Sequence, residues 1–217
     1  MIVDARTYTI NSGMMPAYLK NVEEVAGPIQ KKHGFDLAGY FTVETGELNK
    51  VVHYWKWDNA QVRQDAREAL YADPDWTEYR KGSAEKIAHQ KNSLWMATDI
   101  VEPFAFTGTG SKQAFVDERT YTIQYAQVPN YVEITKALAK PIIDDAGWKL
   151  IGYFFSITGT INQVMHLWYW DNHAAREAGQ KKAVTDPRWA IYQAGNGHRV
   201  IKQENRYLVP TSFSPIK

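Results

Sequence analysis

The stretch VVHYWKWDN at Val51–Asn59 returns as VMHLWYWDN at Val164–Asn172. The same displacement of 113 residues carries RTYTI at Arg6–Ile10 onto Arg119–Ile123 and GYF at Gly39–Phe41 onto Gly152–Phe154. It also carries Asp73-Pro74 onto Asp186-Pro187. No gap is needed from Asp4 to Asn92, and 33 of those 89 positions are identical in the second copy. Self-similarity at a fixed period is the mark of a duplicated structural unit. The chain therefore reads as repeat 1 over residues 1–100, a linker over 101–113 and repeat 2 over 114–217. The Gly, Ser and Thr of FTGTGSK (Phe106–Lys112) predict flexible coil there.

Each unit reads the same way. ARTYTI alternates and is rich in strand-forming residues. Pro16 suits the first turn of a helix, whose apolar face is Tyr18, Val22, Val25 and Ile29. Pro28, like Pro141, should end or kink it. LAGYFTV and VVHYWKW follow as strands, and the Thr-Gly between them signals a hairpin. Asn59 is a helix cap. A helix runs on to Leu70, Asp73-Pro74 interrupts, and a second helical piece covers Trp76–His89. NSLWMA, or NRYLVP in repeat 2, closes the unit as its fourth strand. The order β-α-β-β-α-β is the ferredoxin-like arrangement, a four-stranded antiparallel sheet with helices on one face. The fold class is α+β.

Alternate strand residues share a face. His53, Trp55 and Trp57 therefore point one way with Val51, and Val52, Tyr54 and Lys56 the other. Neither face is a solvated one. Each large apolar side chain contributes about 1.5–3 kcal/mol on burial. Leaving Ile10, Phe41, Val51, Trp55 and Trp57 wet would forfeit on the order of 10 kcal/mol, comparable to a whole domain's stability. The two sheets should pack open face to open face within one chain, as a barrel. The histidine and tryptophan face, which both copies share, is read as the one turned toward the partner sheet.

Composition removes several functions. The formal charge is +1, and without a basic stripe nucleic acid is no partner. The absence of cysteine excludes a disulfide scaffold and a thiolate metal site. No apolar run approaches the roughly 18–20 residues that span a bilayer. Asp4 and Arg6 stand where a signal peptide has its apolar run. A cytoplasmic protein without membrane contact is expected. No phosphate-binding glycine loop, metalloprotease helix or nucleophile elbow occurs.

The RTYTI start, the GYF…TG…N-x-V-x-H-x-W-x-W-D-N hairpin, Arg63 after Asn59 and D-P-x-W-x-x-Y together resemble the NIPSNAP family, of the dimeric α+β barrel superfamily. The resemblance covers both repeats. It implies ferredoxin-like units whose sheets pair, here fused into a pseudo-dimer, and a tendency to form homo-oligomers. It brings no settled reaction. The wider superfamily holds cofactor-independent monooxygenases, isomerases, lyase-like enzymes and haem proteins, so fold alone does not choose among them.

His53 and His166 are the candidate catalytic residues. A partly desolvated imidazole stays neutral and serves as a general base, or as a ligand to haem iron. The competing structural role is a buried histidine satisfied by a carbonyl or a tyrosine. Arg6 with Tyr8, and Arg119 with Tyr121, share one face of the first strand and would hold a carboxylate or enolate. Ion pairs of the arginines with Asp58 and Asp171 are the structural alternative. Trp55 and Trp168 would stack on a planar ligand, or simply fill the core. Arg63 and Arg176, at helix starts, need carboxylate partners, for which Asp73 and Asp186 are the candidates. Ile157 in place of Glu44 suggests that repeat 1 holds the more polar pocket. The expected function is binding of a small aromatic or carboxylate-bearing molecule in a barrel pocket, extending to cofactor-independent proton transfer or oxygenation. No metal site is expected, and haem is the one alternative cofactor. A non-catalytic interaction protein is the rival reading.

Overall fold

The computed structural model describes residues 1–217. Repeat 1 runs β1 (Ile2–Ile10), α1 (Met15–Asn21), a π-helical segment (Val22–Ala26), α2 (Gly27–Lys32), β2 (Asp36–Val43), β3 (Lys50–Trp57), α3 (Ala60–Ala72), α4 (Pro74–Ser83) and β4 (Ile87–Ala97). Repeat 2 repeats the order as β5 (Phe115–Ile123), α5 (Val128–Ile134), a π-helical segment (Thr135–Ala139), α6 (Lys140–Asp145), β6 (Lys149–Ser156), β7 (Gln163–Trp170), α7 (His173–Val184), α8 (Pro187–Asn196) and β8 (Val200–Pro210). The eight strands close into one barrel in the order β1-β3-β2-β8-β5-β7-β6-β4. Within each repeat the ladders are long and antiparallel. The repeats meet at two short seams, Phe41–Val43 on Leu208–Pro210 and Trp95–Ala97 on Phe154–Ser156.

Local signals place the turns and helix starts. Asn59 and Asn172 cap α3 and α7 by accepting from the amides of Val62 and Ala175. The hairpins hold Gly46 and Gly159 at φ of 89° and 80°, and Asn49 and Asn162 at 56° and 58°. That left-handed region is the one Gly and Asn enter at least cost. Pro28 and Pro141 do not end their helices. The turn before each widens so that the amides of Gly27 and Lys140 reach five residues back, to the carbonyls of Val22 and Thr135. The helix expected to reach His89 stops at Ser83, because the ladder with β1 already begins at Ile87.

The duplication, the fold class and the intrachain barrel stand as the sequence predicts; the facing of the strands does not. Val52, Tyr54, Met165 and Leu167 point into the barrel, among Val3, Phe41, Val116 and Phe154. His53, Trp55 and Trp57 face outward, under the helices. A barrel sheet with helices outside is buried on both faces, so alternation cannot say which face is which. The copied face is the one that meets each repeat's own copied helices. Inside, one shared space must be filled once, so Tyr54 stands opposite in role to Leu167, Ala5 to Glu118 and Ser93 to Arg206.

The linker is not loose coil. Phe104 and Phe106 pack on the interior cluster, beside Ile216 from the C-terminal segment. The Thr109 amide donates to the Tyr169 hydroxyl at 3.0 Å, and Gly110 to the carbonyl of Lys217 at 3.1 Å. Linker and C-terminus together plug one end of the barrel. The other end holds a polar cavity of about 660 Å³ between the two hairpins.

Candidate functional site

Between sheet and helices, each repeat encloses a cavity, of about 510 Å³ in repeat 1 and about 530 Å³ in repeat 2. Both fall in the usual range for small-molecule sites. All eight residues singled out from sequence come to these cavities: Arg6, Tyr8, His53 and Trp55 line the first, and Arg119, Tyr121, His166 and Trp168 the second. The site therefore lies outside the barrel, not within it. The π-helical segments contribute Val22 and Ala26 to the first wall and Thr135 and Ala139 to the second.

His53 is 2% exposed. Its Nδ1 accepts the indole N–H of Trp55 at 2.7 Å. The ring stacks on Tyr40 at 4.6 Å and meets Tyr8 edge-on at 4.8 Å. His166 repeats this with Trp168 at 2.5 Å, Tyr153 and Tyr121. An indole N–H can only donate, so the Nδ1 it meets carries no proton. The neutral ring then carries its proton on Nε2. Burial, with a nearby arginine, drives the basicity of both rings down, well below the ordinary value for His53 and to about 3 for His166. The Nε2 of His53 has no partner. A buried donor is thus left open at the cavity wall.

Asp4, two residues before Arg6 on β1, is fully buried. Its Oδ2 accepts from Arg6 Nη2 at 2.8 Å and from Arg63 Nε at 2.8 Å. Burial raises the acid's pKa, but the two guanidiniums prevail and hold it below the ordinary value. Asp117 is gripped likewise by Arg119 and Arg176 at 2.8 and 3.0 Å. These pairings correct the expected ones. Arg6 and Arg119 do not reach Asp58 and Asp171, because β-strand alternation places Asp4 and Asp117 two residues away on the same face. Arg63 and Arg176 turn to the same carboxylates. Asp73 instead caps α4 through the Asp75 amide at 2.9 Å and holds Lys32 and His33, while Asp186 caps α8 and pairs with Arg188. Glu44 is exposed and lines neither helix-side cavity, so its exchange for Ile157 says nothing about their polarity.

The sequence reading missed Arg67, Tyr71, Arg80 and Lys91, which line the first cavity. A position-by-position comparison of the repeats contains the signal, since Arg67 and Arg80 become Gln180 and Gln193. No group of three or more metal-ligating side chains capable of holding an ion occurs, and no helix is long and apolar enough to cross a membrane.

The sequence profile of the NIPSNAP family matches residues 3–101 and again 116–215. Human "Protein NipSnap homolog 3A" is 29% identical over 214 residues, covering 98% of this chain and 84% of that protein. "Protein NipSnap" of Drosophila melanogaster is 21% identical over 229 residues, covering 99% of this chain and 78% of the fly protein. Among solved structures, an "anthrone oxidase-like protein" superposes on all of this chain and 94% of its own, with a TM-score of 0.64 at 10% identity. At that identity the likeness concerns the fold alone. Two matched repeats, each contributing four strands to one closed barrel, make the chain a member of the NIPSNAP family.

Proposed function

We propose that the helix-roofed cavities are small-molecule binding sites in which His53, and His166 in the second repeat, donates from Nε2–H to a carbonyl, enolate or carboxylate oxygen. The observation that carries this is the Trp55–His53 bond, which fixes the tautomer and leaves a buried donor without a partner. Such a donor costs about 1–3 kcal/mol of desolvation unless something accepts from it. Tyr8, Tyr18, Tyr40 and Trp55 supply apolar walls for a planar ligand.

The same bond argues against two other roles. A general base or a haem ligand needs the Nε2 lone pair, which requires the proton on Nδ1, facing the Trp55 N–H. The residues present do not fit haem iron for that reason. Where turnover occurs, the histidine polarises a carbonyl rather than removing a proton. The chemistry available to this pocket is thus binding with polarisation of a carbonyl by a hydrogen bond. A cytoplasmic setting and self-association remain proposals resting on composition and family resemblance.

The test is a histidine ring ¹⁵N–¹H spectrum with 2-acetylnaphthalene and 2-naphthoate as probes. The His53 Nε2–H resonance should be visible at neutral pH and should move when one of them is added. A protonated Nδ1, or a resonance that neither probe moves, contradicts the reading.

A further inference from the structure

The two cavities share their inner walls and differ at their mouths. In the first, α3 and α4 bring Arg67 and Arg80 onto one tyrosine, with guanidinium carbons 5.5 and 5.1 Å from the ring centre of Tyr71. Neither arginine has a carboxylate partner within 4.0 Å; the ion pairs of α3 and α4 involve Arg63 and Lys81. Lys91 adds a further cation, Arg6 is already neutralised by Asp4, and no acidic side chain lines this cavity. Like charges gathered around one ring without a counter-ion favour an arriving anion, the more so where solvent is displaced.

In repeat 2 those positions are Gln180, Val184 and Gln193. Its lining charges are Arg119 and Lys181 with Glu177. The unpartnered buried polar atoms are donors alone in the first cavity and of both kinds in the second. At the first cavity they are the Nε2 of His53 and the Nε1 of Trp76, both donors. At the second they are the Nε1 of Trp148, a donor, the hydroxyl of Tyr153, which donates or accepts, and the Oδ1 of Asn196, an acceptor whose Nδ2 is already held by the Tyr131 carbonyl and the Thr135 hydroxyl at 3.1 Å each. An anion offers acceptors only. It suits the first cavity and leaves Asn196 in the second unsatisfied.

Resting on the binding-site reading above, we infer that repeat 1 holds the anion site and takes a planar aromatic carboxylate. Its ring lies against the aromatic wall, and Arg67 and Arg80 hold its carboxylate at the mouth. Repeat 2 keeps the frame and has lost the charge selection. Guanidinium groups bind carboxylates in bidentate fashion, which glutamine cannot imitate with charge.

The test compares 2-naphthoate with its neutral counterpart 2-naphthamide by calorimetric titration of the whole protein. Wild type should bind the acid about tenfold or more tightly than the amide, and added salt should narrow the gap. Arg67→Gln with Arg80→Gln, the residues repeat 2 itself carries, should cut the acid's advantage about tenfold while leaving amide binding and melting temperature in place. The converse variant, Gln180→Arg with Gln193→Arg, should raise acid binding. If acid and amide bind equally and His53→Phe weakens both, the cavity stands and the anion assignment falls. If the preference survives the double glutamine variant, Arg67 and Arg80 are not its source and the inference falls. If neither probe binds, the binding-site reading falls with it.

Discussion

At the scale of single residues, the decisive pair is an indole and an imidazole two positions apart on one strand. Trp55 and Trp168 hold their histidines in one tautomer, and burial keeps them uncharged. This has a consequence for stability. The unfolded chain takes up a proton on each ring near pH 6.5, whereas the folded His166 resists until about pH 3. The folded state therefore loses stability as pH falls below about 6.5, by about 1.4 kcal/mol per unit for each such ring. Urea titrations between about pH 6.5 and 5, above the carboxylate range, should show that slope. His166→Gln should make it shallower by one ring's share. An unchanged slope would mean that His166 is charged when folded. The histidines were legible as site residues because both copies set them between a valine and a tryptophan. Their role was not, because it depends on which nitrogen the indole reaches.

At the scale of elements, two strand features bear on the design. Asp4 serves two guanidiniums at once, so Asp4→Ala would strand two buried cations and should cost about 3–5 kcal/mol. The GYF motif has a steric reason. A β-carbon on Gly152 would lie 2.4 Å from Cε2 and Cζ of Phe154, and one on Gly39 would lie 2.5 Å from Cε2 of Phe41. Each ring lies across its own glycine at a β-bulge. Gly152→Ala should destabilise by about 1–3 kcal/mol, and Phe154→Leu in the same chain should recover part of it. Denaturant midpoints read both. Caps and hairpins were legible because Asn59, Gly46 and Asn49 act within a few residues. The facing of β3 was not, since Val52 and Tyr54 are as buried as His53 and Trp55.

At the scale of the whole molecule, two short seams and a plug turn two repeats into one body. Phe104, among the interior residues, comes from the linker rather than from either sheet. Phe104→Ala should cost about 3–5 kcal/mol and lower a single cooperative transition, rather than split it into two. Calorimetry distinguishes these outcomes. A linker rich in Gly and Ser gave no hint of this role, because Phe104 and Ile216 find their partners only once the barrel has closed. The shared frame has left the two helix-roofed cavities with different mouths. The central claim, that they have parted in what they bind, is tested most directly by the indole ¹⁵N–¹H spectrum of the whole protein titrated with 2-naphthoate. The resonances of Trp55 and Trp76 should move while those of Trp168 and Trp189 stay in place. Equal movement in both sets, or movement confined to Trp168 and Trp189, would contradict it.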